Sequence, residues 1–537
     1  MQFLVRYKYT LLLILVFITA VFLVKPFGDF PLNDDWCYAK SVRVFLQTGE
    51  IDIGFWAAAT LATQIIWGAI WTKLFGFSFV VLHASTLFSA FCGLLLFYFL
   101  VKELSKSHTH AFFATLSFYF VPVYFNLSFT FMTDVNFITL LLLFTRLSFQ
   151  YFKSEKLIWL LPLLLTSLAL VLLRQFGLFA SAVFVLASLL RRPRSMQTVL
   201  SAVLVLGVTY CALHYYENYL KHYLPDYAFY KFSGKTSFFT SEVLMLYLER
   251  FKTRLPVTIS VMLFYMMPLA IAALPVLFRS TSTSRKVGLL LVSAFITIVF
   301  LKDSTVLPGN IVNNMSVGPE TFAHNFLGFP YHSYSGQFTR AVEALKIIYF
   351  VPGIWVLLCL FTNGRVNAMQ KSERSLLTFS MLFIAVYAMS LLLPDSVFDR
   401  YQLPVIAFGI LWLSYFLRGT AIHKGVFLFA ILPFFYSSVA GTHDYMAVQE
   451  ATVKAYTSLK IQQVEDGMIS AGYEQSCWNA GDRVWLTDFQ ALEKRKYLIQ
   501  FDAEPGFREV AAFPFYRYYP PGMDNVRIFV NDSLNKK

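Results

Sequence analysis

The sequence predicts an all-α polytopic membrane domain of about 13 helices, followed by a small α/β domain outside the bilayer. Three observations carry this expectation. The chain is 57% hydrophobic and only 14% charged, with a mean hydropathy of +0.59, where a soluble chain carries roughly 25% charged residues. Apolar runs repeatedly reach about 17 to 25 residues, enough to cross a ~30 Å hydrocarbon core. After residue 440 the charge density becomes ordinary, and stretches such as "DRVWLTDF" and "NVRIFV" read as strands.

Residues 9–25 are the first span, preceded by Arg6 and Lys8, which puts the N-terminus inside. The run lacks a small-residue cleavage site and reads as a retained span rather than a removed signal peptide. Residues 26–55 are then an outer loop. The piece "FWAAATLATQIIWGAIWTKLF" is apolar but interrupted, and reads as a re-entrant or interfacial helix. Further spans are expected near 78–101, 110–126, 134–152, 157–173, 176–190, 196–216, 256–278, 287–301, 342–361, 375–393, 402–418 and 425–440. The basic turns "KSEK", "RRPR", "RSTSTSRK", "NGRVNAMQKSER" and "RGTAIHK" then all face inward. That leaves two long outer loops, 217–255 and 302–341, and loops of such length are uncommon unless functional or disordered. Residues 1–440 are thus the membrane domain and 441–537 the extracytoplasmic one.

The net charge of +13 does not call for a nucleic-acid partner, because most Lys and Arg lie in short loops as the positive-inside rule expects. Cys92, Cys211 and Cys359 sit inside apolar runs and read as small buried hydrophobes. Cys37 and Cys477 share the outer side, which leaves a bridge between them open. No Cys/His spacing of metal type occurs. No internal repeat is evident either.

Ionisable residues collect on the outer side. Asp34 and Asp35, in "PLNDDWCYAK", follow the first span; Asp134 opens a helix in "FMTDVNF"; Arg174 sits in the turn "LLRQFG". Lys302 and Asp303 open the long loop, which ends near Arg340, and "PDSVFDRYQLP" places Asp395, Asp399 and Arg400 before a late helix. Each has a plainer reading: Asp134 as a helix N-terminal acid, the arginines as snorkelling cations, Asp34-Asp35 as a solvated turn. Together they suit a lipid-phosphate substrate. One carboxylate takes a proton from an acceptor hydroxyl, a second orients it or holds a divalent cation, and arginines grip a phosphate. The 18% aromatic content suits sugar stacking and headgroup anchoring.

With an acidic pair in the first outer loop, an acid opening a later helix and the late element Arg400, Tyr401, Leu403, Pro404, the chain resembles the GT-C superfamily of membrane glycosyltransferases over residues 1–440. The likeness is to the branch of protein O-mannosyltransferases and the lipid A aminoarabinose transferase. It departs from that branch in having Asp-Asp where the protein mannosyltransferases have Asp-Glu, and in lacking a MIR-type insert. The resemblance implies transfer of a monosaccharide, hexosyl or pentosyl, from a polyprenyl-phosphate donor to a hydroxyl of a lipid, glycan or protein acceptor. Inversion at the anomeric carbon and a site on the periplasmic face of a bacterial inner membrane follow from it. It makes Asp34 the general base with Asp35 orienting it or exchanging that role, and Asp134 a supporting acid or cation site. Arg400, then Arg174, Lys302 and Arg340, would bind the donor phosphate, while Trp36, Tyr401, His324 and His332 would contact substrate. No cofactor is required, and a divalent cation is allowed.

Two other classes compete. A lipid-linked glycan flippase would carry ionisable residues within its spans and preferably a repeated half. An O-antigen ligase or polymerase would centre its chemistry on a late loop such as 302–341, leaving Asp34 and Asp35 unexplained. Nothing positive points to a structural scaffold.

Overall fold

The computed structural model describes residues 2–53, 57, 59–191, 195–223, 241–301, 305–306, 311–315, 335–362, 371–394, 397–479, 496–503 and 505–531. Its helices, in chain order, are α1 (Gln2–Val24), α2 (Asp35–Thr48), α3 (Ala62–Phe75), α4 (Phe79–Ser105), α5 (His108–Tyr119), α6 (Pro122–Leu127), α7 (Thr133–Ser154), α8 (Leu160–Leu173) and α9 (Gly177–Leu190). They continue with α10 (Met196–Tyr223), α11 (Ser241–Ser280), α12 (Thr283–Ile296), α13 (Ile311–Asn314), α14 (Ser335–Thr362), α15 (Lys371–Ser390), α16 (Leu403–Phe416), α17 (Lys424–Ile461) and α18 (Gly472–Asn479). Among the described residues, 7 helices are long and apolar enough to cross a membrane: α1, α4, α7, α10, α11, α14 and α17. The shorter apolar helices α8 and α9 pack beside them.

The chain departs from the expected spans where local chemistry interrupts hydropathy. The segment expected as the first outer loop contains a helix, α2, begun by Asp34 at its N-cap and Asp35 in its first turn, where carboxylates favour the helix dipole. It ends at Gly49, in the left-handed conformation (φ +77) that glycine adopts without strain. The 110–126 span is broken at Pro122 into α5 and α6. The interrupted piece folds as α3, whose 14 residues cover about 21 Å, short of a ~30 Å core.

Helix α17 is the largest difference. Hydropathy falls near residue 440, but helix-forming residues continue and so does the helix, through 38 residues to Ile461. At about 57 Å it outruns the bilayer and carries the C-terminal segment as its continuation. That segment holds a four-stranded sheet, β1 (Ile469–Ser470), β2 (Tyr497–Gln500), β3 (Phe507–Tyr518) and β4 (Pro521–Asn531), in the order β1-β2-β4-β3. β1 and β2 are parallel, and β4 is antiparallel to both β2 and β3. The turn between β3 and β4 rests on α17. The buried Asp444 accepts the N–H groups of Tyr518 (2.7 Å) and Tyr519 (2.9 Å), and the His443 ring stacks on Tyr518 with centroids 3.6 Å apart.

Helix direction separates two polar ends. Fully buried Glu373 meets Arg418 (2.9 Å) and Lys106 (3.3 Å), near the C-terminal ends of α16 and α4. The opposite end gathers the start of α2, the starts of α4 and α7, and the α8–α9 turn. The candidate site lies there.

Candidate active site

Asp35, the second acid of the pair, is a structural anchor. It is wholly buried; its Oδ1 accepts from Leu32 N (2.7 Å), and its Oδ2 accepts from Phe131 N (3.2 Å) and meets His83 Nε2 at 2.8 Å. Burial raises its pKa, an effect opposed by His83 and the two N–H groups. One carboxylate thus ties the start of α2 to α4 and to the residues leading into α7. Gln64 on α3 reinforces that seam, donating to Phe131 O (3.0 Å) and accepting from Asn136 Nδ2 (2.7 Å).

This seam brings Asp34 and Asp134 to one place. Asp134, nearly buried in the first turn of α7, is paired with Arg174 Nη1. Arg174 is held by a tight turn: its N–H bonds Leu170 O (2.9 Å), and its carbonyl accepts from Gly177 N (2.8 Å). A Cβ on Gly177 would lie 2.5 Å from the Leu170 carbonyl carbon, so only glycine lets α9 fold back this closely.

The late element supplies the second cation. Asp399–Gln402 form a single 3-10 turn that runs into α16, with Pro404 in the opening turn of that helix. Arg400 Nη1 lies 3.3 Å from Asp34 Oδ2, with the side chains 11% and 19% exposed. Its guanidinium also lies over the rings of Phe398 (5.4 Å) and Tyr401 (5.6 Å). The Arg174 guanidinium is 5.3 Å from the same Tyr401 ring. Two largely desolvated cations therefore share one aromatic ring, each with its own carboxylate. Such pairs contribute little net stability, since desolvation consumes most of the attraction, and a cluster of this kind is a marker of functional sites. The buried Nε of Arg400 has no hydrogen-bond partner among the described residues.

Asp399 holds this turn from behind. Its carboxylate accepts from Ile311 N (3.1 Å), Val312 N (2.8 Å) and Arg400 N (2.7 Å), fastening α13 beside Arg400. Burial pushes its pKa up to about 6, against those three N–H groups.

The structure thus brings together Asp34, Asp134, Arg174, Arg400 and Tyr401. It places Asp35 behind them and buries Trp36, with Lys40 Nζ 5.3 Å from the Trp36 ring centroid. Lys302, His324 and His332 lie outside the described residues, as does the side chain of Arg340 on α14. Tyr38 was not anticipated: buried on α2, it lies within electrostatic reach of Arg400, Asp34 and Asp134. Its spacing of i+4 from Asp34 was the available signal. Cys37 and Cys477 are buried and unbridged. Among the described residues no group of three His, Cys, Asp or Glu side chains could hold a metal ion.

No family model and no curated protein matches the chain. Among solved structures it is similar to ArnT from Cupriavidus metallidurans bound to undecaprenyl phosphate, at 12% identity and a TM-score of 0.44, over 98% of this chain and 99% of that one. It is also similar to the Archaeoglobus fulgidus oligosaccharyltransferase tethered with an acceptor peptide, at 11% identity and a TM-score of 0.40, over 93% of this chain and 70% of that one.

Proposed function

We propose that this protein is an inverting membrane glycosyltransferase, moving a monosaccharide from a polyprenyl-phosphate donor to the hydroxyl of a lipid, glycan or protein acceptor. The observation that carries the reading is the cluster of Asp34, Arg400, Tyr401, Arg174 and Asp134, drawn from separate segments to one end of an apolar helix bundle. A lipid phosphate brings its charge to such a place while its tail lies along apolar helix faces.

Arg400 and Arg174 receive the phosphate, for which a planar guanidinium is suited by its fork of donors. The incoming phosphate competes with Asp34 for Arg400, so donor binding releases the Asp34 carboxylate. Asp34 then takes the proton of the acceptor hydroxyl as the oxygen attacks the anomeric carbon. The bond from that carbon to the phosphate oxygen breaks, and polyprenyl phosphate leaves with its charge held by the arginines. Asp134 orients Arg174, Asp35 fixes the backbone on which Asp34 stands, and Tyr401 separates and supports the two cations.

In this reading residues 1–440 are the catalytic membrane domain and 441–537 an extracytoplasmic domain, with the site on the periplasmic face of a bacterial inner membrane. Lys302 and Arg340 are proposed as further phosphate cations, and His324 and His332 as substrate contacts from the long loop. The step as written uses no cofactor. The test is sugar transfer from defined polyprenyl-phosphate donors by the reconstituted protein. Asp34→Asn is expected to lower transfer by about 10²- to 10⁴-fold while inserting normally. Full activity in that variant would sink the assignment, and donor translocation without transfer would favour a flippase.

A further inference from the structure

Asp34 stands on a residue whose backbone is held from far away. Asn33 has φ +56, in the left-handed region that asparagine enters more readily than other non-glycine residues. Its N–H donates to Tyr445 Oη at 2.9 Å, and the Tyr445 hydroxyl donates to Glu474 Oε1 at 2.6 Å. All three residues are buried. Tyr445 lies on the stretch of α17 that projects past residue 440, and Glu474 on α18 of the C-terminal segment.

The same short helix is fastened to α2 further along. Lys40 Nζ donates to Cys477 O at 2.9 Å, and the Arg43 guanidinium lies 4.9 Å from the Trp478 ring. Trp478 in turn packs edge-on against Phe79 at the start of α4, with centroids 4.8 Å apart. Contacts from α17 and α18 therefore bracket α2, at the residue before its N-cap and along its second and third turns.

We propose that the C-terminal segment sets the position of the catalytic base, with Tyr445 as the positioning residue and Glu474 as its support. The inference rests on Asp34 being that base. A buried hydroxyl that accepts from Asn33 while donating to a carboxylate makes a polarised pair of hydrogen bonds, each strengthening the other. Losing the phenolic oxygen releases Asn33, and Asp34 moves with it relative to Arg400 and the acceptor. Displacement of a reacting group by about 1 Å costs on the order of 100-fold in rate. The segment's presence in the same chain as the membrane domain then has a catalytic consequence.

The experiment measures steady-state transfer by full-length protein in lipid vesicles, with Asp34→Asn assayed in parallel. Tyr445→Phe is expected to lower kcat by about 10- to 100-fold, with no rise in donor KM. Glu474→Gln keeps a carbonyl acceptor for the Tyr445 hydroxyl and is expected to retain most of the activity, whereas Glu474→Leu behaves like Tyr445→Phe. Wild-type kcat in Tyr445→Phe beside an inactive Asp34→Asn overturns the positioning role and leaves the base assignment standing. Equal losses in Glu474→Gln and Glu474→Leu overturn it too, and this comparison holds even where Tyr445→Phe fails to fold. Full activity in Asp34→Asn overturns both.

Discussion

The Arg400 guanidinium lies 3.3 Å from the Asp34 carboxylate, joining residues 366 positions apart in the chain. Neither group is free to relax toward bulk water, because the 3-10 turn beneath Arg400 and the seam beneath Asp34 are both pinned by buried carboxylates, Asp399 and Asp35. The pair is preorganised, which is what a site needs if it is to exchange one anion for another without rebuilding itself.

Arg400→Lys retains the charge but loses the planar fork and the stacking on Phe398 and Tyr401. A charge-assisted hydrogen bond contributes about 1.5–3 kcal/mol, so kcat/KM for the donor is expected to fall about 10- to 150-fold. Titration of the donor at saturating acceptor measures this. Unchanged kcat/KM would remove Arg400 from the phosphate-binding role.

The two acids of the first loop are expected to fail differently. Asp35→Ala leaves His83 and the N–H groups of Leu32 and Phe131 without their common partner. Leaving a buried donor unsatisfied costs about 1–3 kcal/mol. The variant is expected to lose yield and thermal stability in detergent, whereas Asp34→Asn keeps both and loses turnover. A fluorescence-detected melting series on the two variants distinguishes them.

Asp399 gives a pH dependence of definite sign. Its pKa is raised from the ordinary 3.8 to about 6, so the folded protein binds this proton more tightly than the unfolded chain. Its contribution to stability is full below 3.8 and is lost as pH rises through about 6. Lowering the pH from about 7 to about 5 should therefore stabilise the wild type relative to Asp399→Asn, which lacks the titration. Parallel shifts of Tm in both proteins over that interval would contradict the assignment.

Gly177→Ala sets a Cβ 2.5 Å from the Leu170 carbonyl carbon and 2.7 Å from the Val171 nitrogen. Backbone cannot swing aside as a side chain can, so the α8–α9 turn must open, at about 1–3 kcal/mol. Arg174 moves with the turn. Reduced stability accompanied by a raised donor KM is the expected result, read from melting and kinetics of the same preparation.

Much of the helical architecture follows from hydropathy alone, because a bilayer admits few ways to satisfy backbone polar groups. The starts of α4, α7 and α16 fall where Ser78, Thr133-Asp134 and Pro404 put start signals, close to the expected spans. The end of α17 was not readable in this way. Apolar character falls after residue 440, and a helix stabilised by packing against β3 continues regardless.

For the site, the sequence by itself determined the residue types and their position beside helix ends, where Asp34, Asp134, Arg174 and Arg400 stand. It could not distinguish Asp34 from Asp35. Adjacent residues at the start of a helix point in directions about 100° apart, so a seam formed with His83 and Phe131 buries one and leaves the other beside Arg400. The pairings Asp34–Arg400 and Asp134–Arg174, the shared Tyr401 ring and the hold of Tyr445 on Asn33 were likewise decided only by tertiary structure. Each depends on distances between segments far apart in the chain, and these are set by how the helices pack, not by the composition of any one of them.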